Sequence, residues 1–474
     1  MVKNKFYITT AIDYVNAPPH IGHAFEKVLA DALARWHTLN GEDVFFLTGT
    51  DENAQKNEQA AEKAGIPVKK FVDKNSGIFE ELCKKLNCSN NDFIRTTQAR
   101  HVKTSQEIFK KVYDKGEIYK GTYKGLYCVG CESFITEKEL VDGKCPEHNK
   151  EPDQMSEETY FFKLSKYQKQ LIKFVKNYIV PKTKRNEILS RLENEELKDL
   201  CVARSKLDWG IDTPIDKDFK IYVWFDALIN YISGAGKARE KWPADLHVVG
   251  KGINWFHSVI WPAILMSAEI ELPKKLLVHG YLNLEGKKMS KSLGNIIDPL
   301  ELLEKYSTDS VRYSLLRCSV FEDSDYSEDL LIDRHNNELA NKLGNLVSRT
   351  TTLAEKYGLE IVKENKLLKK LGLKKIEKHF KDFEVDRALN EIFAFIDICN
   401  EYIQSKKPWE THDKKVLYEL IDSIKAIAIL LWPYLPETCE KISKTLGFDL
   451  KFSEINKPLK NTNIKKSEIL FKKI

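Results

Sequence analysis

The sequence predicts an α/β protein in which a doubly wound parallel sheet is interrupted by an inserted zinc-knuckle domain and followed by an all-α C-terminal helical bundle. Three observations carry that prediction. Short β-branched and aromatic runs alternate with amphipathic helical stretches as far as His279, the grammar of β-α-β units. Cysteines and a histidine spaced as chelating corners break into that alternation. Beyond Glu328 the periodicity is helical, with almost no strand signal.

In chain order, Phe6–Thr10 reads as the first strand, and Phe25, Val28, Leu29, Ala32, Leu33 and Trp36 then recur at helical spacing. Val44–Leu47 reads as the next strand and Val68–Leu86 as a helix. From Tyr119 the knuckle segment takes over, and the text returns to strand at Lys220–Trp224. Leu246–Val249 and Leu276–His279 are further apolar strands, separated by a helix over Trp255–Ser267. The resulting Rossmann-like sheet divides as 1–118 (first half), 119–219 (insertion with the knuckle), 220–284 (second half), 285–330 (a lysine loop and the segment after it) and 331–474 (helical domain). Ligands are expected at the carboxyl ends of its strands. No G-x-G-x-x-G is present, so no dinucleotide cofactor is indicated.

With 474 residues, 42% of them hydrophobic, the chain has material for about three domains with sizeable cores. Its formal net charge of +5 suits a polyanionic partner without proving one. There is no signal-peptide pattern, and the apolar run Ala426–Leu431 stops at Trp432-Pro433, so a soluble, cytoplasmic chain with no membrane partner is expected. Of nine cysteines, six lack framework spacing and read as thiols in a reducing compartment. Cys128-x-x-Cys131 and Cys145-Pro-Glu-His148 form the two chelating corners, with turn residues Gly130, Gly143 and Pro146 around them. A Cys3His set closes a tetrahedral site, so one structural zinc per chain is expected.

Two segments carry the chemistry. His20-Ile21-Gly22-His23, behind Pro18-Pro19, falls at a strand-to-helix junction, where unpaired N–H groups favour an anion and Gly22 permits close approach of a nucleotide. Lys288-Met289-Ser290-Lys291-Ser292 places two lysines on a Gly-flanked loop able to open and close. Together they supply donors and positive charge for in-line attack at an α-phosphate. These are signatures of class I aminoacyl-tRNA synthetases, and T-T-A-I-D-Y-V-N-A-P-P-H-I-G-H with G-T-D-E-N resembles the methionyl-tRNA synthetase family, from about Phe6 to about Trp409.

The resemblance implies the rest of the site. His20, His23, Lys288 and Lys291 would be catalytic, and His20, Gly22, His23, Gly250 and Lys291 would bind ATP with its Mg2+. Asp51 would hold the substrate ammonium, although locally it also reads as a cap for a helix starting near Glu52. Ala11, Ile12, Tyr14, Trp224, Ala227, Tyr231, Phe256, His257 and Trp261 would line the methionine pocket, where aromatic walls suit a thioether. Because one methylene is worth only about 1 to 3 kcal/mol, homocysteine would enter as well. The implied reaction forms methionyl-adenylate and passes the methionyl group to the terminal ribose of initiator and elongator tRNA(Met). The region after the loop would contact the tRNA stem. In the helical domain, Asn345 and Arg349 are four apart and share a face, and Trp409 can stack on an anticodon base. The chain stops soon after that domain, which makes a monomer the expectation.

Four positions depart from the family pattern. Asn53 stands for the histidine of T-D-E-H, Asp13 where proline is common, Leu228 in a proline slot, and Gly252 for the aspartate of G-K-D, which is expected to touch the ATP ribose. Three alternatives stay open: a synthetase for leucine, isoleucine, valine or cysteine, a small H-x-G-H nucleotidyltransferase, and a non-catalytic synthetase-like RNA-binding protein.

Overall fold

Alternation along the strand Lys5–Thr10 sets the layers of the molecule. Phe6 and Ile8 join the core that holds the helix Ile21–Leu39, while Tyr7 packs with Leu47, Ile94, Ala235 and Ala244. The computed structural model describes residues 4–146, 149–205, 207–236, 239–284, 286–288 and 296–474. Among these, seven strands form one sheet whose pairings are parallel. Across the sheet run Asp92–Arg95, Asp43–Asp51, Lys5–Thr10, Leu246–Gly250, Leu276–His279 and Ile179–Val180. After a break at Ala11-Ile12, Asp13–Tyr14 pairs with Thr50 and Asp51 and prolongs the edge begun by the first strand. Ile179–Val180, from within the stretch expected as an insertion, closes the far side against Leu276 and Leu277.

The rest of that stretch builds a separate antiparallel sheet of Ser133–Ile135, Ile118–Cys128, Asp153–Phe162 and Leu200–Cys201, with Cys128 at the end of its longest strand. One expected strand is corrected. Only Lys220–Ile221 is extended, and it pairs with Ala203–Arg204 outside the main sheet. Tyr222 then precedes the helix Val223–Leu228, all six residues of which are buried. The aromatic run reads as strand because burial on all sides removes the periodicity that separates the two. The expected helix Trp255–Ser267 is π-helical over Phe256–Ile260 and α-helical over Trp261–Ser267.

The carboxyl half of Ile21–Leu39 is bolted to the helical region. Arg312, fully buried, places Nη2 2.7 Å from Asp31 Oδ2, which also receives Arg35 Nε at 2.8 Å. The same guanidinium donates to the carbonyls of Leu86 and Pro433 at 2.9 and 2.8 Å. Trp36 stacks on Phe380 at 3.9 Å. Sheet, first helix and bundle thus share one continuous apolar core, and no described helix is long and apolar enough to cross a membrane.

Candidate active site

Strand order reverses between Lys5–Thr10, whose chain turns toward Asp43–Asp51, and Leu246–Gly250, whose chain turns toward Leu276–His279. Such a switch point opens a crevice at the carboxyl ends, here beside Thr10 and Gly250. The helix Ile21–Leu39 starts there, capped by its own histidines. His20 Nδ1 accepts from Gly22 N–H at 3.1 Å, and His23 Nδ1 accepts from His20 N–H at 3.0 Å. With both Nδ1 atoms engaged as acceptors, the hydrogen-bond pattern assigns the neutral rings' protons to Nε2. The rings lie 3.8 Å apart at the positive end of the helix, a paired donor set for an anion.

Gly22 is where the ring of His20 folds back: a Cβ there would stand 2.9 Å from His20 Cε1. This gives the glycine a structural reason within the motif itself. The lysine motif lies mostly outside the described residues, Lys291 included, and of Lys288 only its backbone is described, in the short strand Lys287–Lys288. Ile297, six residues beyond Lys291, accepts from Ile21 N–H at 3.0 Å, so the segment following the loop is tied to the start of the histidine helix.

Asp51 ends its strand, is 2% exposed and does not cap a helix, since the next one begins at Gln55. Burial, then the nearby charge of Asp226, hold its carboxyl well above the usual range, so a ligand cation there would be strongly favoured. Asn53, the departure from the histidine pattern, donates its amide to Asp226 at 2.7 Å, and His101 Nε2 meets the other carboxylate oxygen at 2.6 Å.

The aromatic candidates converge around one wall. Trp224 stacks on Phe256 at 3.7 Å and meets Tyr14 edge-on at 6.3 Å. His257 lies between the carbonyl of Ile253, 2.9 Å from Nδ1, and the Tyr231 hydroxyl, 2.7 Å from Nε2. Burial pushes its imidazole down to about 4, leaving a neutral polar group beside apolar walls. Ala11 and Trp261 are buried in the same core as Trp224 and Tyr231, and Ala227 is buried on the helix that carries Trp224. Ile12 packs instead with the Tyr7 cluster.

Gly250 ends the strand at the switch point, 3.5 Å separating an added Cβ from His279 Cε1. At Gly252 a Cβ would lie 2.1 Å from the Tyr281 hydroxyl, which fills the space where an aspartate side chain would begin.

The family model for tRNA synthetases class I (M) matches residues 6–155 and 148–351, and that for the anticodon-binding domain of tRNA ligase matches 368–473. The methionine--tRNA ligase of Clostridium acetobutylicum is 42% identical over 100% of this chain and 78% of its own length; that of Rickettsia conorii is 42% identical over 94% and 93%. The Mycobacterium tuberculosis methionyl-tRNA synthetase in complex with methionyl-adenylate superposes with a TM-score of 0.94 at 37% identity, covering 99% of each chain. This chain belongs to the methionyl-tRNA synthetase family. It is accordingly an aminoacyl-tRNA synthetase, a ligase.

In this family member the cysteine cluster fits a metal. The Sγ atoms of Cys128, Cys131 and Cys145 all lie within 4.8 Å of one another, and two of them are 3.5 Å apart. Zn–S bonds of ~2.3 Å at tetrahedral angles require sulfurs roughly 3.8 Å apart. His148 lies outside the described residues. The cluster abuts the pocket: Trp224 Nε1–H donates to the Cys131 carbonyl at 3.3 Å, and buried Glu132 accepts from Lys56 N–H at 2.7 Å and from the Tyr127 hydroxyl at 2.6 Å.

In the helical region Asn345 is exposed, while Arg349 places its guanidinium 5.4 Å from the centroid of Trp409, itself half-buried on the core. The cation and the ring therefore form one platform.

Several residues were missed by sequence reasoning. Lys56 holds its ammonium 3.2 Å from the Tyr14 ring centroid, and burial brings it down to about 8. Glu26 and Lys27, on the first helix, are both buried, which the helical spacing of their apolar neighbours does not announce. A departure such as Asp13 was the available signal, because a carboxylate at a buried position requires a partner.

Proposed function

We propose that this site condenses methionine with Mg-ATP to methionyl-adenylate and then transfers the methionyl group to the 3′-terminal adenosine of tRNA(Met), serving both initiation and elongation. One observation carries the reading: the Ile21 N–H to Ile297 carbonyl bond ties the segment following the lysine loop to the helix end that bears two Nε2–H histidines. His20 and His23, with Gly22 and Gly250 allowing the nucleotide near the backbone, hold the phosphates. Lys291, helped by Lys288, draws the charge that develops on the departing pyrophosphate. The substrate carboxylate attacks the α-phosphorus while Asp51, its carboxyl raised by burial, takes the ammonium.

The thioether lies against Trp224, Tyr14, Phe256, Tyr231 and Trp261, with Ala11, Ile12 and Ala227 leaving room, and His257 stays neutral there. Cys128, Cys131, Cys145 and His148 would hold one zinc, which supplies structural closure and no open coordination position. Asn345, Arg349 and Trp409 read the anticodon, supported by the Arg349–Trp409 contact. The domain limits 1–118, 119–219, 220–284, 285–330 and 331–474, a monomeric state and a cytoplasmic location complete the proposal. Pyrophosphate exchange into ATP, run with each amino acid in turn, tests it. Methionine-dependent exchange is expected, and leucine-dependent or absent exchange overturns the assignment.

A further inference from the structure

A chain of buried charge runs beneath the phosphate crevice. Asp13 and Lys27 are 8% and 2% exposed, and Lys27 Nζ lies 2.9 Å from Asp13 Oδ2. The same ammonium reaches Glu26 Oε1 at 3.1 Å, the Thr10 hydroxyl at 3.2 Å and the Ala11 carbonyl at 3.0 Å. The second oxygen of Glu26 meets His279 Nε2 at 3.1 Å, at the end of the strand Leu276–His279. At the other end of the chain, Asp13 Oδ1 stands 3.9 Å from His23 Nε2. Strand pairing of Asp13 with Thr50 fixes its backbone, so the carboxylate cannot drift from that place.

Burying four ionisable side chains is unfavourable unless each is compensated, and a lysine and aspartate pair of this kind is replaceable by apolar groups at little loss of stability. Stability alone therefore does not account for it. What the arrangement adds is a fixed negative charge facing the Nε2 side of one phosphate-binding histidine, while Nδ1 of that histidine is held by the His20 N–H. A carboxylate so placed attracts the Nε2–H edge while Nδ1 accepts from the His20 N–H, so the two contacts together fix both the tautomer and the orientation of the ring.

We infer that Asp13, held by Lys27, is a positioning residue that fixes the ring of His23 as its Nε2–H tautomer, in the orientation in which it meets the triphosphate of ATP. The inference rests on the function proposed above. Lys27 and Glu26 act through Asp13: without the lysine, burial would neutralise the carboxyl. Burial already raises Asp13 to about 6 against the opposing pull of Lys27. The groups facing this pair are His20, its ring tilted against that of His23, together with Glu26 and His279; Tyr231 and His257 sense the same carboxylates from the pocket side, and Cys83, on the helix Val68–Lys85, senses the ammonium. Lys27 itself is driven above its ordinary range by Asp13 and Glu26, against the effect of burial, and stays charged across the working pH.

The test compares the full-length protein with Asp13→Asn, Lys27→Met and the double variant, by methionine-dependent pyrophosphate exchange with ATP and methionine varied in turn, alongside thermal unfolding. The double variant removes both charges together and so keeps the fold assayable if either single change unfolds it. In the double variant kcat/KM for ATP is expected to be down about tenfold, with KM for methionine little changed. A double variant as stable as the wild type, with the wild-type kcat/KM for ATP, overturns the inference and leaves the pair a packing device. Absence of methionine-dependent exchange in the wild type itself overturns the proposed function instead, so the two failures are distinguishable.

Discussion

Replacing Gly22 by alanine separates stability from catalysis at the motif that starts the first helix. The added Cβ would meet His20 Cε1 at 2.9 Å and Nδ1 at 3.0 Å, so the ring must retreat by about half an ångström to reach ordinary contact. That retreat stretches the 3.1 Å bond from Gly22 N–H beyond useful length. Losing the cap costs about 0.5 to 2 kcal/mol. Against this, alanine is favoured over glycine within a helix by roughly 0.5 to 1 kcal/mol. The two partly offset, and the net change in stability should stay within about 1.5 kcal/mol. Phosphate positioning has no such compensation, since a displacement approaching 1 Å in a catalytic group can cost about 100-fold. Calorimetric unfolding paired with methionine-dependent pyrophosphate exchange reads both. The expected result is a near-native unfolding temperature with kcat/KM for ATP reduced about 10- to 100-fold. A variant whose exchange stays within about threefold of wild type would refute the claim that Gly22 exists to seat the His20 ring.

Three further outcomes are expected. Gly252→Ala should destabilise the protein by about 1 kcal/mol through collision with the Tyr281 hydroxyl, and Tyr281→Phe should relieve most of that, because the ring carbon behind the oxygen is 3.5 Å away; non-additivity in denaturant unfolding measures it. Asp51, held protonated above its usual range in the free protein, must ionise to receive an ammonium. Methionine binding should therefore release up to about one proton at pH values between the lowered value in the complex and the raised free value, read by titration calorimetry in buffers of different ionisation enthalpy. Stripping metal from the cysteine cluster should loosen the Cys131 carbonyl that receives the Trp224 indole, raising KM for methionine more than KM for ATP; equal effects on both would count against that contact.

Much of this site was readable in the sequence because its chemistry is local. The histidine motif follows a strand and opens a helix, whose N-cap is His20. The cysteine spacing states a cluster that folding only has to close. Strands Asp43–Asp51, Leu246–Gly250 and Leu276–His279 announced themselves as buried apolar runs. The hidden part depends on register between distant segments. Lys27 occupies a helix position where an exposed lysine is the ordinary expectation, and only the turn of chain at Ala11-Ile12 brings Asp13 over it. The run Lys220–Trp224 reads as strand on propensity, and packing on every side overrides it in favour of a helix from Val223. Tyr281 took the room at Gly252 without any local hint, since the two are far apart in sequence and adjacent only at neighbouring strand ends.

The buried guanidinium of Arg312 decides how this enzyme can be cut. A fragment ending before the bundle would keep Asp31, Arg35 and Arg312 but forfeit the Pro433 and Tyr434 carbonyls that share the load. Two cations would then crowd one carboxylate behind a newly wetted Trp36. Truncation to a minimal aminoacylation core, an attractive route for crystallography or engineering, would have to begin by redesigning that arginine.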